Sequence, residues 1–534
     1  MSTLFLIGIH EIEKSQTIVQ NEHYFDRVIE LQDLDSLMVA LYKDRVSPFP
    51  NVHNFETGVS IVLYDPSKFQ LSVRQLDVLF KRFFPSFNIS AIDHTREENL
   101  QRLECVEREN SICRNRITRI NHWMYHHHDD TPDGINKNSY GIVNGNSVPT
   151  QACEANIYTL LLHLNDSKAQ HLRKASVPRL IRNIEFMSFL SDPIEKISQE
   201  GSHYWNILST WDFCALSLST QELIWCGFTL IKKLSKDAKV LIADNKLLLL
   251  LFTLESSYHQ VNKFHNFRHA IDVMQATWRL CTYLLKDNPV QTLLLCMAAI
   301  GHDVGHPGTN NQLLCNCESE VAQNFKNVSI LENFHRELFQ QLLSEHWPQL
   351  LSEHWPQLLS ISKKKFDFIS EAILATDMAL HSQYEDRLMH ENPMKQITLI
   401  SLIIKAADIS NVTRTLSISA RWAYLITLEF NDCALLETFH KAHRPEQDCF
   451  GDSYKNVDSP KEDLESIQNI LVNVTDPDDI IKDHPHIPNG QIFFINTFAE
   501  VFFNALSQKF SGLKFLSDNV KFNKEYWMKH KKPQ

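Results

Sequence analysis

Long hydrophobic runs are missing from this 534-residue chain. Its longest aliphatic stretches, Leu247 to Phe252, Leu293 to Ile300 and Leu399 to Ile404, fall far short of the ~20 residues a membrane span requires. The apolar opening MSTLFLIGI lacks a basic start and runs at once into acidic residues, so it does not read as a secretory signal. An excess of basic charge is missing too: 52 Lys and Arg stand against 64 Asp and Glu, a net −12 with histidine neutral. Without a basic face the chain is a poor general partner for nucleic acid, which is held through its phosphates. Regular cysteine spacing is the third absence. The eleven cysteines form no even framework, and Cys315 and Cys317 stand too close for an ordinary disulfide or a CxxC pair. Buried, reduced thiols are expected. These absences together point to a soluble intracellular protein with no membrane span, placed in the cytoplasm with the nucleus as a second compartment.

What is present is globular in character: 43% hydrophobic, 10% aromatic and 22% charged residues, in a length that accommodates several domains. The expected fold is multi-domain. Residues 1–95 mix short apolar runs, Thr3 to Ile9 and Val59 to Tyr64, with helical patterns at Asp33 to Lys43 and Val73 to Phe84. Strands alternating with helices suggest a small α/β domain with a parallel sheet, receiver-like in its alternation but without a phosphoacceptor set. Residues 96–150, which include HHHDDTPDG and NKNSYGIVNGNS, lose apolar periodicity and read as a polar linker. His126, His127 and His128 fall in it, and a solvated loop accounts for them. Residues 151–199 form a helical lead-in containing Ile157 to Leu164, and 200–525 read as one all-α domain. Helical patterns there include Thr220 to Leu234, Pro289 to Ile300, Lys364 to Leu380 and Met394 to Ala407.

Two segments interrupt the helical pattern. LLSEHWPQ occurs at 342–349 and again at 350–357. A perfect eight-residue copy is too short to be a solenoid unit and reads as a tandem duplication, so His346 and His354 need no functional explanation. Residues 445–489 hold eleven acidic residues against three lysines, with five prolines, and read as a surface loop before the apolar helix IFFINTFAEVFFNAL.

Histidine is the unusual component, at 26 residues. His265 and His269, four apart in KFHNFRHAIDV, would share one helical face. His302 and Asp303 end the apolar helix LLLCMAAIG, and His306 follows one turn later before Pro307-Gly308. Asp408 closes the aliphatic run ITLISLIIKAAD. Polar groups at the ends of buried helices are costly unless paired or bound to metal. Imidazole with carboxylate suits Zn²⁺, while carboxylates and water suit Mg²⁺ or Mn²⁺. A carboxylate bridging two such ions places an activated water beside a phosphoryl group.

The ordered set FHNFRHAIDV, HDVGHPG, SILENFH, ILATDMALH and KAADISN resembles the class I cyclic nucleotide phosphodiesterases, which belong to the HD-type metal phosphohydrolases. Within that family it looks most like the high-affinity cyclic AMP enzymes of yeasts, over about 200–525. The resemblance implies that His269, His302, Asp303 and Asp408 ligate a tightly bound metal, zinc, and that Asp303 bridges to magnesium or manganese held mostly through waters. It implies His265 as the general acid, and His306, Glu332 and His335 as residues that orient the metal-bound waters. Thr376 and Asp377 belong to the ATDM motif lining the cavity. Asn411, Ile426, Gln491 and Phe494 fall in the nucleotide pocket, with Gln491 hydrogen-bonding the purine and Phe494 and Ile426 clamping its faces. The residues fit these roles: Gln491 and Phe494 lie three apart on one helical face, and an amide offers both donor and acceptor. Phe493, Phe502 and Phe503 read as core. Phe264, Gly305, Phe334 and Val412 depart from the family's usual residues, and the loop before Gln491 is long; no ligand and no acid is lost.

The implied activity is hydrolysis of 3′,5′-cyclic AMP to 5′-AMP. A dual or cyclic GMP-preferring enzyme stays open, because an amide can flip to serve either base. A non-catalytic nucleotide sensor or scaffold would carry a damaged acid or ligand set. The N-terminal region offers room for regulatory protein partners or a homo-oligomer contact. Every implied site residue lies outside the duplicated octad, and loop insertion costs only about 0.6 kcal/mol per doubling of length. Deleting 350–357 is therefore expected to leave metal content, melting temperature and cyclic AMP turnover essentially at parent values; a large loss in any of the three would show that the second copy is built into the fold.

Overall fold

The computed structural model describes residues 201–258, 262–286, 288–316, 320–351, 365–442 and 476–531, together with four strands near the N-terminus. The helical patterns at 33–43, 73–84 and 157–164, the His126–His128 run and the residues of 445–475 lie outside the described residues.

The strands are β1 (Thr3–Ile7), β2 (Arg27–Leu31), β3 (Ser60–Tyr64) and β4 (Asn88–Ala91), in the order β2-β1-β3-β4. All pairings are parallel, with Leu4 opposite Val28 on one side and Ile61 on the other. Phe5 and Leu6 are successive residues, so they point to opposite faces, yet both are buried. A parallel sheet covered on both sides requires an unbroken apolar strand, which TLFLI supplies.

The helical part runs through α1 (Thr220–Asp237), α2 (Asp244–Ser257), α3 (Phe267–Leu284), α4 (Pro289–Gly301), α5 (Ile330–His346), α6 (Lys365–Leu374), α7 (His381–His390), α8 (Gln396–Asp408), α9 (Leu416–Ala442), α10 (Ile487–Phe494), α11 (Glu500–Lys509) and α12 (Lys514–Lys529). Short caps set their starts. Ser219 and Glu222 form a reciprocal capping box at α1, Asn266 caps α3, and Asn288 with Pro289 opens α4. Helix α4 is the axis of the bundle: every residue from Val290 to Gly301 is buried, and α1, α3, α5, α6 and α8 pack around it. A helix apolar on all sides has no solvent face and must be enclosed.

Two expectations are corrected, and the duplicated octad is placed. The pattern Lys364 to Leu380 is not one helix: α6 ends at Leu374, and Asp377 caps a separate 3₁₀ turn, Met378–Leu380, by accepting the Ala379 N–H at 2.8 Å. An aspartate that bonds its own following backbone ends a helix even where apolar periodicity continues. The acidic loop is shorter than 445–489, because Pro477–Asp483 is helical, capped by Asp476. The first octad copy is built into the fold: α5 stops at His346, ahead of Pro348, and Trp347 is fully buried, as is Leu350, the first residue of the second copy. After deletion of 350–357, Leu358-Leu359-Ser360 would take the places of Leu350-Leu351-Ser352 with identical side chains. Among the described cysteines, all are free thiols and Cys226, Cys281, Cys296 and Cys433 are buried; burial pushes the Cys281 thiol up to about 12. No helix among the described residues is long and apolar enough to cross a membrane.

Gly301 marks the tightest approach in the core. A Cβ built there would lie 2.4–2.5 Å from ring atoms of Phe339 on α5. The missing side chain is what lets α5 close on the end of α4. Gly301→Ala is expected to destabilise the protein by about 1–3 kcal/mol, the usual cost of overpacking. Adding Phe339→Leu should recover part of that loss in denaturant melts, and a neutral single substitution would contradict the close contact.

Candidate metal centre and active site

Three helix ends converge on one point. His269 lies in the first turn of α3, His302 and Asp303 follow the last residue of α4, and Asp408 is the last residue of α8. His269 Nε2 and His302 Nε2 each lie 3.2 Å from Asp408 Oδ1. Asp303 Oδ2 is 3.1 Å from His302 Nε2 and 3.5 Å from His269 Nε2. Donor atoms about 2.0–2.1 Å from a shared tetrahedral ion stand roughly 3.3–3.4 Å apart, close to these separations. His302 Nδ1 donates to Ala299 O at 2.7 Å, which leaves Nε2 with its lone pair aimed at the cluster. Burial opposes every charge here. Even so, the histidines hold Asp303 and Asp408 well below the usual carboxylate range, and those carboxylates hold His302 well above its ordinary value. Two half-buried carboxylates facing two buried imidazoles make a donor set that a divalent cation fits.

His265 is placed differently from the sequence expectation. It is not on the helix with His269 but in the turn before the Asn266 cap, with its ring nearly perpendicular to that of His269 at 5.8 Å. Its Nδ1 donates to Glu429 Oε1 at 2.5 Å, and the backbone N–H groups of Phe264 and His265 donate to Glu429 Oε2 at 2.8 and 3.3 Å. The opposite face of the ring arrangement is His306, stacked on His265 at 4.0 Å and 15°. Burial lowers both imidazoles, but the Glu429 charge overrides it for His265, whose pKa is raised, while His306 stays well below its ordinary value. Neighbouring titratable groups pushed apart in this way are suited to opposite proton roles.

Glu429 is the residue that the sequence did not reveal. Its one signal is a lone carboxylate within the apolar segment LITLEF of α9. Asn262 was missed too; its Nδ2 donates to the carbonyls of His265 at 2.9 Å and His306 at 2.7 Å, tying the two ring-bearing loops together. Gly305 and Gly308 adopt φ of 78° and 82°, which lets HDVGHPG fold back under the cluster.

His335 Nδ1 donates to Val304 O at 2.8 Å; its Nε2 is buried without a hydrogen bond, 3.7 Å from Asp303 Oδ1. Burial takes this imidazole down to about 4, so it is neutral. Glu332 accepts from Asn311 Nδ2 at 2.9 Å, and burial, reinforced by Asp377, pushes it up to about 7. Asp377 accepts from Ser329 Oγ at 2.6 Å, Thr376 is buried beside it, and the buried Lys405 Nζ donates to the carbonyls of Ala375 and Asp377, both at 3.1 Å.

The other expected residues lie on other elements. Asn411 is half-buried in the 3₁₀ turn Ser410–Thr413, Ile426 half-buried on α9, and Gln491 and Phe494 lie on α10, which packs on α9. Gln491 is buried, yet its side-chain amide makes no hydrogen bond among the described residues. Phe502 and Phe503 are core as expected, whereas Phe493 is 65% exposed, because α10 turns that face outward. Phe264 uses its ring to pack against His269 at 4.6 Å and Trp422 at 5.3 Å.

The sequence profile described as 3′5′-cyclic nucleotide phosphodiesterase matches residues 264–471, the span that carries all four converging donors and His265. A 3′,5′-cyclic-nucleotide phosphodiesterase 2 from Saccharomyces cerevisiae is 98% identical over 534 residues, the whole of both chains. The chain belongs to the cyclic nucleotide phosphodiesterase family. This phosphodiesterase is also 32% identical over 204 residues to a human high affinity cGMP-specific 3′,5′-cyclic phosphodiesterase 9A, covering 36% of the present chain and 32% of the human one. The crystal structure of yeast caPDE2 in complex with IBMX resembles it over the full length of both chains, at 26% identity and a TM-score of 0.75. The phosphodiesterase is thus an enzyme acting on cyclic nucleotides, with a helical catalytic domain and an N-terminal part containing strands.

A ligand that binds only the folded state raises stability, by about 2.7 kcal/mol at a hundred times its dissociation constant. Stripping divalent ions with a chelator is expected to lower the melting temperature, and returning them to restore it. A melting temperature indifferent to metal, with removal verified by elemental analysis, would mean that the four donors hold one another rather than an ion.

Proposed function

We propose that this phosphodiesterase hydrolyses 3′,5′-cyclic AMP to 5′-AMP at a two-metal site. The observation that supports this most directly is the convergence of four donor atoms beside an imidazole held by a buried glutamate. On this reading His269, His302, Asp303 and Asp408 hold zinc. Asp303 has its two oxygens turned in different directions, Oδ2 toward His302 and Oδ1 toward His335, which suits a bridge to a second ion, magnesium or manganese. When bound, such ions supply an activated water and neutralise charge at phosphorus. The chain supplies the rest. His306, His335 and Glu332 orient waters, the neutral His335 through its unpartnered Nε2. His265, its pKa raised by the Glu429 charge, delivers its proton to the departing 3′ oxygen. Gln491 bonds the purine edge, Phe494 and Ile426 close on its faces, and Asn411 borders the base. Cyclic GMP is the competing substrate, since nothing within the described chain fixes the Gln491 amide in one orientation; steady-state rates on both nucleotides decide between them. We read 200–525 as the catalytic unit, 1–95, 96–150 and 151–199 as its appended α/β domain, linker and lead-in, and the cytoplasm as its compartment.

His265→Ala should keep the metals but lose roughly 10²–10⁴-fold in rate, the scale of general acid catalysis. A substrate with a better leaving group should recover part of that loss. Glu429→Gln should fall between parent and His265→Ala. Loss of zinc from His265→Ala would make it a ligand and reverse the assignment of roles.

A further inference from the structure

The turn Ser410–Thr413 immediately follows Asp408 and carries Asn411. Besides its own 3₁₀ backbone bonds, Thr413 Oγ1 donates to Ser410 O at 2.7 Å, and the Arg414 N–H reaches Asn411 O at 3.4 Å. The carbonyls of Val412, Thr413 and Arg414 are each taken by a side chain from far along the chain. Asn523 on α12 is buried and donates both amide hydrogens, to Val412 O at 2.8 Å and Arg414 O at 3.0 Å. Asn519, one turn earlier, donates to Thr413 O at 2.8 Å. Trp211 Nε1 donates to the same carbonyl at 3.1 Å.

Arg414 closes the arrangement from inside. Its guanidinium is fully buried, 4.6 Å from the Trp211 ring centre, and bonds Trp211 O at 2.8 Å, Gln275 Oε1 at 2.9 Å and Asp272 Oδ2 at 3.1 Å. Gln275 and Asp272 lie on α3, the helix whose first turn bears His269. Gln275 Nε2 in turn donates to the carbonyls of Leu208 and Thr210, both at 2.7 Å. The turn is therefore referenced to α3, to α12 and to residues 208–211 at once.

We infer that Asn523, Asn519 and Trp211 are positioning residues for nucleotide binding: they hold the Asn411 turn at a fixed place relative to the His269 and Asp408 ends. None of the three lies within 264–471, the span shared with the family profile. The inference rests on the placement of Asn411 at the nucleotide. Metal binding should not need the grip, because Asp408 belongs to α8 and is held by the two histidines. Its loss should therefore appear in substrate affinity rather than in chemistry.

Asn523→Leu and Trp211→Phe each remove the donor while keeping bulk; Trp211→Phe, at a half-buried position, guards against a variant that fails to fold. In the full-length, metal-loaded enzyme each should raise KM for cyclic AMP by about five- to thirty-fold, the worth of one or two lost hydrogen bonds, with kcat within about two-fold of the parent. Metal content should be unchanged. Asn411→Ala is measured beside them. If it raises KM while both grip variants keep the parent KM and merely melt earlier, the inference is overturned and the contacts are only structural. If Asn411→Ala itself leaves KM unchanged, the placement of Asn411 at the nucleotide fails, and the inference falls with it.

Discussion

One carboxylate oxygen organises the catalytic half of this molecule. Asp408 Oδ1 faces imidazoles from α3 and from the end of α4, so three helices come within hydrogen-bond reach of one atom. A carboxylate largely withdrawn from water is costly without compensating charge or donors. Helix ends must therefore arrive in register, and much of the surrounding packing is explained by that demand: the enclosed α4, the Gly301 contact that allows α5 to close over it, and the glycine-permitted reversal that brings His306 back beside His265.

A second layer of buried charge holds the first in place. Lys405 fastens the Asp377 turn, Glu429 fastens His265, and Arg414 fastens the chain after Asp408. Each is a long side chain satisfied mainly by backbone carbonyls or amides, or by a single opposite charge. Removing one partner of such a pair leaves the other stranded, so these positions are less forgiving than their distance from the reacting atoms suggests.

His302, Asp303 and Asp408 were legible because each stands at the polar end of an apolar run, and His269 through its four-residue spacing from His265, patterns visible in one dimension. The same logic revealed β1 and β3, whose cores are wholly apolar. It could not reveal β2, whose RVIEL carries charges at a sheet edge, or β4, whose four residues are too few for a period. A four-residue spacing is satisfied equally by a turn that precedes a cap, and Asn266, a strong capping residue, starts α3 only after His265. Glu429 was illegible for a different reason. Its meaning lies in a partner 164 positions away, and no local pattern carries that information.

Ile426 and Glu429 stand three residues apart on α9, so a single rigid rod bears both a wall of the proposed nucleotide pocket and the carboxylate that grips His265. The two are mechanically geared. A tilt or slide of the rod that admitted a larger base would also drag the glutamate from its imidazole. Drift toward new substrates is thereby channelled: exchange of a single side chain at Ile426 leaves the gearing intact, whereas remodelling through backbone movement sacrifices turnover as it alters preference.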